Sequence, residues 1–248
     1  LLFKLMSVCP LADFELEAAL TDVRSVLLLS VAETSNSPEI LEFQSALALQ
    51  CFVNEYVYNQ SDKEVKALAA LETLVEDTLL KGEQPSPHFI LCLATYKALH
   101  EYEWCDLITL NPDIEEVVTR QVLEPNQEKR LKSVIPILQD VKDSVSSKVR
   151  AQYEENPYPR WVDMKVRLTP SPISKVIKEV KLKLFDGAIN DVEAPSILIA
   201  GCGTGQHSIG TALRFKDAKV LAVDLSLSSL AYAIRKTEEV GLQNVDYM

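Results

Sequence analysis

The chain is poor in glycine and histidine. Of its 248 residues only seven are glycine and three are histidine. His88, His100 and His207 stand at no metal-ligand spacing from one another or from a cysteine, which argues against a zinc centre. The five cysteines, Cys9, Cys51, Cys92, Cys105 and Cys202, are odd in number, scattered and never in C-x-x-C spacing. That is the usage of a reducing, cytoplasmic compartment with buried thiols, not of a disulfide framework. No apolar run reaches the roughly 18 residues of a membrane span, and the most apolar early stretch, Ser25 to Ala32, lies within an amphipathic pattern. No signal peptide is expected from the charge, core and cleavage pattern. The phosphate-loop pattern G-x-x-x-x-G-K-[ST] is missing, which excludes that class of nucleotide site.

What is present is 47% hydrophobic composition, ample for real cores, over a length that suits one large or two ordinary domains. The net charge of −11 is unevenly held: 24 acidic and 13 basic side chains lie in residues 1–150, and 12 of each in 151–248. Such an acidic field disfavours casual binding to nucleic acid or anionic lipid. The chain begins at Leu1 and ends at Met248, a few residues into an apparent third strand from Asn244. Three parallel strands would leave an exposed sheet edge, so a fragment of a longer polypeptide is expected.

From Leu11 to about Ser147 the pattern is helical, with apolar residues at three- and four-residue spacing and one glycine, Gly82. The spacing predicts a helix from Ala12 to Glu33 with Leu16, Leu20, Val23, Val26 and Leu27 inward, and a second from Glu39 to Tyr58 with a buried aromatic end. Ser61 and Glu64 form a capping-box pattern opening a third helix to about Leu80. Further helices are predicted at His88 to Ile108, Asp113 to Leu123 and Asn126 to Glu155. A weak internal echo, Leu91 to Ala94 against the stretch near residue 46, suggests tetratricopeptide-like packing without a clean period.

The most informative stretch runs from Ser196 to Asp224. A short apolar strand, expected to be buried on both faces, stops at Gly201-Cys202-Gly203-Thr204-Gly205. A helix follows from about Gln206 to Phe215, and a second strand, Lys219 to Val223, ends in Asp224. Alternating glycines let a backbone turn sharply and approach a ligand, and the helix N-terminus behind them carries free N–H groups. An acid about 20 residues past the glycines is placed to accept the two hydroxyls of a ribose, so an adenosine-type nucleoside is expected. Asp224 and Ser226 compete as cap of the next helix. The dinucleotide fingerprint G-x-G-x-x-G would need glycine where Gln206 stands. With its glycines at 201, 203 and 205 and its terminal acid, the stretch resembles the first motif of class I S-adenosylmethionine-dependent methyltransferases. That resemblance implies S-adenosylmethionine as cofactor, the glycine loop passing under its methionine part and Asp224 holding its ribose. The residues placed at the cofactor are Gly201, Cys202, Gly203, Thr204, Gly205, Gln206, His207, Asp224 and Leu225; for His207 a plain helix-start role competes.

Between these regions lies Tyr153-Glu154-Glu155-Asn156-Pro157-Tyr158-Pro159-Arg160-Trp161. Its prolines end a helix and hold Tyr158 and Trp161 in an extended segment, suited to stacking on a planar ligand or wedging between domains. It is not the Asn-Pro-Pro-Tyr motif of amino-group methyltransferases, because Tyr158 replaces the second proline and a helix precedes it. Arg160, Lys165, Arg167, Lys175, Lys178, Lys181 and Lys183 make the connector basic. An acidic substrate or RNA is one reading; the other is the solvated face of an amphipathic helix from Ser174 to Phe185 with Ile177, Val180 and Leu184 inward. The whole order resembles bacterial proteins that join a tetratricopeptide-like helical region to a class I methyltransferase domain.

The expected fold is therefore an α/β Rossmann-like domain, incomplete, preceded by an all-α domain: residues 1–150 helical, 151–184 connector and basic helix, 185–248 the first part of the methyltransferase domain. The expected activity is methyl transfer, with no catalytic residue assigned and a protein substrate or partner ranked before a small molecule and RNA. A nicotinamide-dependent oxidoreductase and a helical interaction module with a vestigial nucleotide fold are the alternatives.

Overall fold

The computed structural model describes residues 1–138, 143–155, 157–164 and 169–248. Asn156, Lys165 and Arg167 of the readings above lie outside them. The chain forms two compact units, Leu1–Asn126 and Gln127–Met248. Their division falls before the boundary expected at residue 150, and the helices after it belong with the sheet.

The elements of the first unit are all helical: α1 (Leu2–Met6), α2 (Phe14–Leu29), α3 (Pro38–Val53), α4 (Asp62–Leu80), α5 (Pro87–Ala94) and α6 (Glu115–Val118), with short 3₁₀ and π turns and the start of α7 (Glu124–Lys132). Helix α3 is central, with every residue from Ala46 to Val53 buried, and packs against α1, α5 and α6. It ends at Val53 instead of running to Tyr58, because Glu55 and Tyr56 adopt positive φ. Ser61 and Glu64 do form the capping box, and α4 ends at Leu80.

Helix α5 is much shorter than the predicted span to Ile108. The side chain of Gln121, fully buried in a π-helical turn at Thr119–Leu123, donates to the carbonyls of Ala48 (3.1 Å) and Ala94 (3.2 Å) and accepts from the N–H of Leu99 (3.1 Å). A polar side chain thus takes the end carbonyl of α5 that another helical turn would have used. The chain continues in 3₁₀ turns, with Tyr102 and Trp104 stacked at 4.6 Å.

The buried stripe of α2 also differs from the expectation: Val23 and Val26 are exposed, and Leu20, Arg24 and Leu28 are inside. Arg24 is carried inward by its partners. Its guanidinium donates to the carbonyl of Asn59 (2.6 Å), lies 4.2 Å over the Tyr96 ring and pairs with Glu64 at 3.9 Å. The Tyr96 hydroxyl donates to the same carboxylate at 2.7 Å. One acid thus caps α4 and neutralises a cation buried under α2.

In the second unit α8 (Ser144–Glu155), α9 (Ile173–Glu179), β1 (Ser196–Ala200), α10 (Gln206–Arg214), β2 (Lys219–Val223), α11 (Leu227–Val240) and β3 (Val245–Tyr247) follow α7. Helix α9 stops early because Lys181 takes positive φ, which leaves Val180 and Leu184 exposed instead of inward. The sheet is parallel in the order β1-β2-β3, with Ile199 opposite Ala222 and Ala222 opposite Tyr247. Right-handed crossovers between consecutive strands put α10 and α11 on one face. There Ile199, Val220, Ala222 and Tyr247 are buried with Ala212, Leu230 and Ala233. Leu198, on the opposite face, is 66% exposed, so β1 is covered on one face and not on both.

Glu64→Ala would leave Arg24 buried without its counter-charge and should lower the stability of the chain by about 3–5 kcal/mol in urea unfolding. The Glu64 carboxyl is pulled below its ordinary value of 4.5, its desolvation being outweighed by hydrogen bonds from Ser61 and Tyr96 and by the Arg24 charge. Its contribution is full above that pH and is lost as pH falls through the lowered folded value. The stability gap between the parent and Glu64→Gln should therefore close on acidification below about 4.5.

Candidate functional site

At the carboxyl end of the sheet, β1 runs into the glycine loop. The N–H groups of Gly201 and Cys202 both donate to the carbonyl of Val223, at 2.8 and 3.1 Å, so the loop is tied to the end of β2. Asp224, the next residue, closes the link: its carboxylate accepts from the N–H of Gly203 (2.7 Å) and from that of Ser226 (3.0 Å). Ser226, not Asp224, is the cap of α11, accepting from Ser229 N–H at 3.1 Å.

The three glycines have different jobs. All take positive φ, but a Cβ on Gly201 or Gly203 would meet nothing within 4 Å, whereas one on Gly205 would lie 2.5 Å from the Cβ of Ala233. Gly205 permits α11 to touch the loop. Gly201 and Gly203 leave their backbone bare toward a cavity of about 530 Å³, within the usual range for a small-molecule or cofactor site.

Of the residues assigned to the cofactor from sequence, Gly201, Gly203, Asp224 and Leu225 line this cavity. The other five do not. Cys202 and Thr204 are buried in the loop, with burial pushing the Cys202 thiol up to about 12. Gln206 and His207 are exposed on the first turn of α10.

The opposite wall was not foreseen. It consists of Pro136, Ile137 and Leu138 and, from α8, Val149, Arg150 and Tyr153. Helix α8 is clasped to the start of α11 through its last turn. The Glu154 carboxylate accepts from the Leu227 N–H and from the Ser228 hydroxyl (2.8 Å) and pairs with Lys132 at 3.4 Å. The carbonyls of Tyr153 and Glu154 accept from the hydroxyls of Ser226 (3.0 Å) and Ser228 (2.7 Å). A carboxylate on free N–H groups at a helix start is favourable by charge and dipole together. The recurrence of Val145, Val149 and Tyr153 marks a helix face in the sequence, but nothing there names what it faces.

The proline-rich connector braces the loop. The Trp161 indole N–H donates to the carbonyl of Thr204 (3.0 Å), the Thr204 hydroxyl donates to the carbonyl of Pro159 (2.8 Å), and the Lys236 amine donates to the carbonyl of Val162 (2.7 Å). Trp161 is wedged inside the unit, while Tyr158, 68% exposed, lines the cavity. Among the described residues no group of three or more His, Cys, Asp or Glu side chains is arranged to hold a metal ion, and no helix is long and apolar enough to cross a membrane.

Over 56 residues, 23% of this chain and 25% of the relative, the sequence is 41% identical to a tRNA (guanine-N(7)-)-methyltransferase of Rubrobacter xylanophilus. Over 86 residues, 34% of this chain and 29% of the relative, it is 34% identical to a release factor glutamine methyltransferase of Chlorobaculum tepidum. Both relatives are methyltransferases. The chain spans between a quarter and a third of the length of these curated relatives. No family model matches. No solved structure matches.

Gly205→Ala should cost about 3 kcal/mol, from overlap with Ala233 and a left-handed backbone, and Gly203→Ala about 1 kcal/mol from the backbone alone; thermal unfolding of the two variants checks the order. The Glu154 carboxyl is also lowered, desolvation being outweighed by Ser228, Leu227 and Lys132. Glu154→Gln should therefore speed amide exchange across Ser144–Glu155 at neutral pH, and the parent chain should show the same loosening once acidified through the lowered value.

Proposed function

We propose that this chain is the cofactor-binding part of an S-adenosylmethionine-dependent methyltransferase. The observation that carries the reading is the pairing, in one cavity, of two bare glycines with an acid at the tip of the neighbouring strand. The likeness of part of the chain to two methyltransferases supports it. The residues present fit the cofactor. The bare loop admits a close backbone approach, Asp224 retains lone pairs for the hydroxyls of a ribose, and the apolar side chains of Leu225 and Met248 suit a base. S-adenosylmethionine would supply the methyl group for transfer to a nucleophile, releasing S-adenosylhomocysteine. The contribution of this chain is orientation: a donor held in one pose against a rigid loop reaches the in-line geometry that the transfer requires. The helical first unit is proposed to present a protein substrate or partner, with the acidic charge of the first 150 residues disfavouring nucleic acid.

Calorimetric titration of the chain with S-adenosylmethionine and separately with NAD tests the cofactor. Binding of the first alone, weakened by Asp224→Ala on the order of 10- to 100-fold, is the expected result. Binding of NAD instead would make the protein a nicotinamide enzyme, and binding of neither by the folded chain would end the enzyme reading.

A further inference from the structure

We infer that Arg150, on α8, receives the carboxylate at the amino-acid end of the ligand, a positioning role played by a helix outside the glycine motif. The inference rests on the S-adenosylmethionine reading above. Arg150 and Asp224 are the one cation and the one acid among the described lining residues, and most of the others are apolar. Asp224 is engaged with Gly203 and Ser226. Arg150, half-buried, makes no ion pair or hydrogen bond within the described residues. An arginine that lines an apolar cavity wall and has no partner among the described residues is set to meet an anion brought by the ligand, and its planar fork matches a carboxylate with two parallel hydrogen bonds.

The placement of that side chain follows from the clasp. Glu154 fixes the last turn of α8 on the start of α11, and Arg150 is one helical turn before it, on the same face as Tyr153. Lys148, two residues earlier, is exposed and off the lining. The cavity therefore carries two recognition points of opposite charge: an acid for a diol and a cation for a carboxylate. A nucleoside bearing an amino-acid tail has both groups.

The test compares two ligands that differ by one carboxylate, S-adenosylhomocysteine and its decarboxylated analogue, in calorimetric titrations of the full chain, Arg150→Met, Arg150→Lys and the control Lys148→Met. Arg150→Met should weaken S-adenosylhomocysteine on the order of 10- to 100-fold and leave the decarboxylated analogue unchanged. Arg150→Lys, which keeps the charge without the fork, should fall between, and Lys148→Met should match the parent. Thermal unfolding midpoints identify any variant that has lost its fold, and Arg150→Lys then carries the comparison. Equal weakening of both ligands, or no change in either, would overturn the assignment. If the parent chain binds neither ligand, the cofactor reading fails first and the role of Arg150 falls with it.

Discussion

The closeness of the glycine loop to α11 is the constraint on which the second unit depends. With no Cβ at Gly205, Ala233 can touch the loop backbone. Tyr247 comes up beneath the same spot from β3, its hydroxyl bonded to Thr237 of α11 at 2.8 Å. A methyl group at position 205 would push α11 outward. The start of α11 is also where Asp224, Ser226 and Glu154 converge, so a displacement there would reach the loop, the β2 tip and α8 together.

Polar groups around the site are used mainly to hold backbone in place. Asp224 bridges the loop and the helix cap, Glu154 occupies the free N–H groups of α11, and Thr204 and Trp161 tie the connector to the loop. Such pre-formed bonding fixes the cavity wall, and a surface that is already ordered loses less entropy on binding than one that must be ordered. Asp224 and Glu154, both half-buried, are satisfied by hydrogen bonds, which makes their partial desolvation tolerable. In the first unit Glu64 serves the same double purpose, capping one helix and neutralising Arg24.

Much of the fold near the site was legible because it is local. Strand, glycine loop, helix and strand from Ser196 to Val223 stand where period and punctuation put them, since each is dictated by residues a few positions apart. The Ser61–Glu64 capping box is equally local. The early ends of α3 and α9 lie at residues of positive φ, whereas the end of α5 and the buried face of α2 are long-range effects. Gln121 takes the end of α5 from 27 residues away along the chain, and Arg24 turns inward because Glu64 and Tyr96, from other helices, wait for it. A hydrophobic scan assigns an arginine to solvent, and only its partners reverse that.

For the site, the sequence by itself determined the glycine loop and the acid at the strand tip, because glycine and aspartate there answer to backbone geometry within a single β-α-β unit. It also determined that the helix before Tyr158 and Trp161 would stop, because proline cannot continue one, and α8 ends at Glu155. Which glycines face the cavity and which one packs a helix was decided by tertiary structure, since all three look alike in sequence and differ only in what lies beyond their missing Cβ. Tertiary structure also decided the second wall. Arg150 and Tyr153 come to the cavity because Glu154 finds the free N–H groups of a helix 73 residues further along the chain, a pairing that no local pattern encodes.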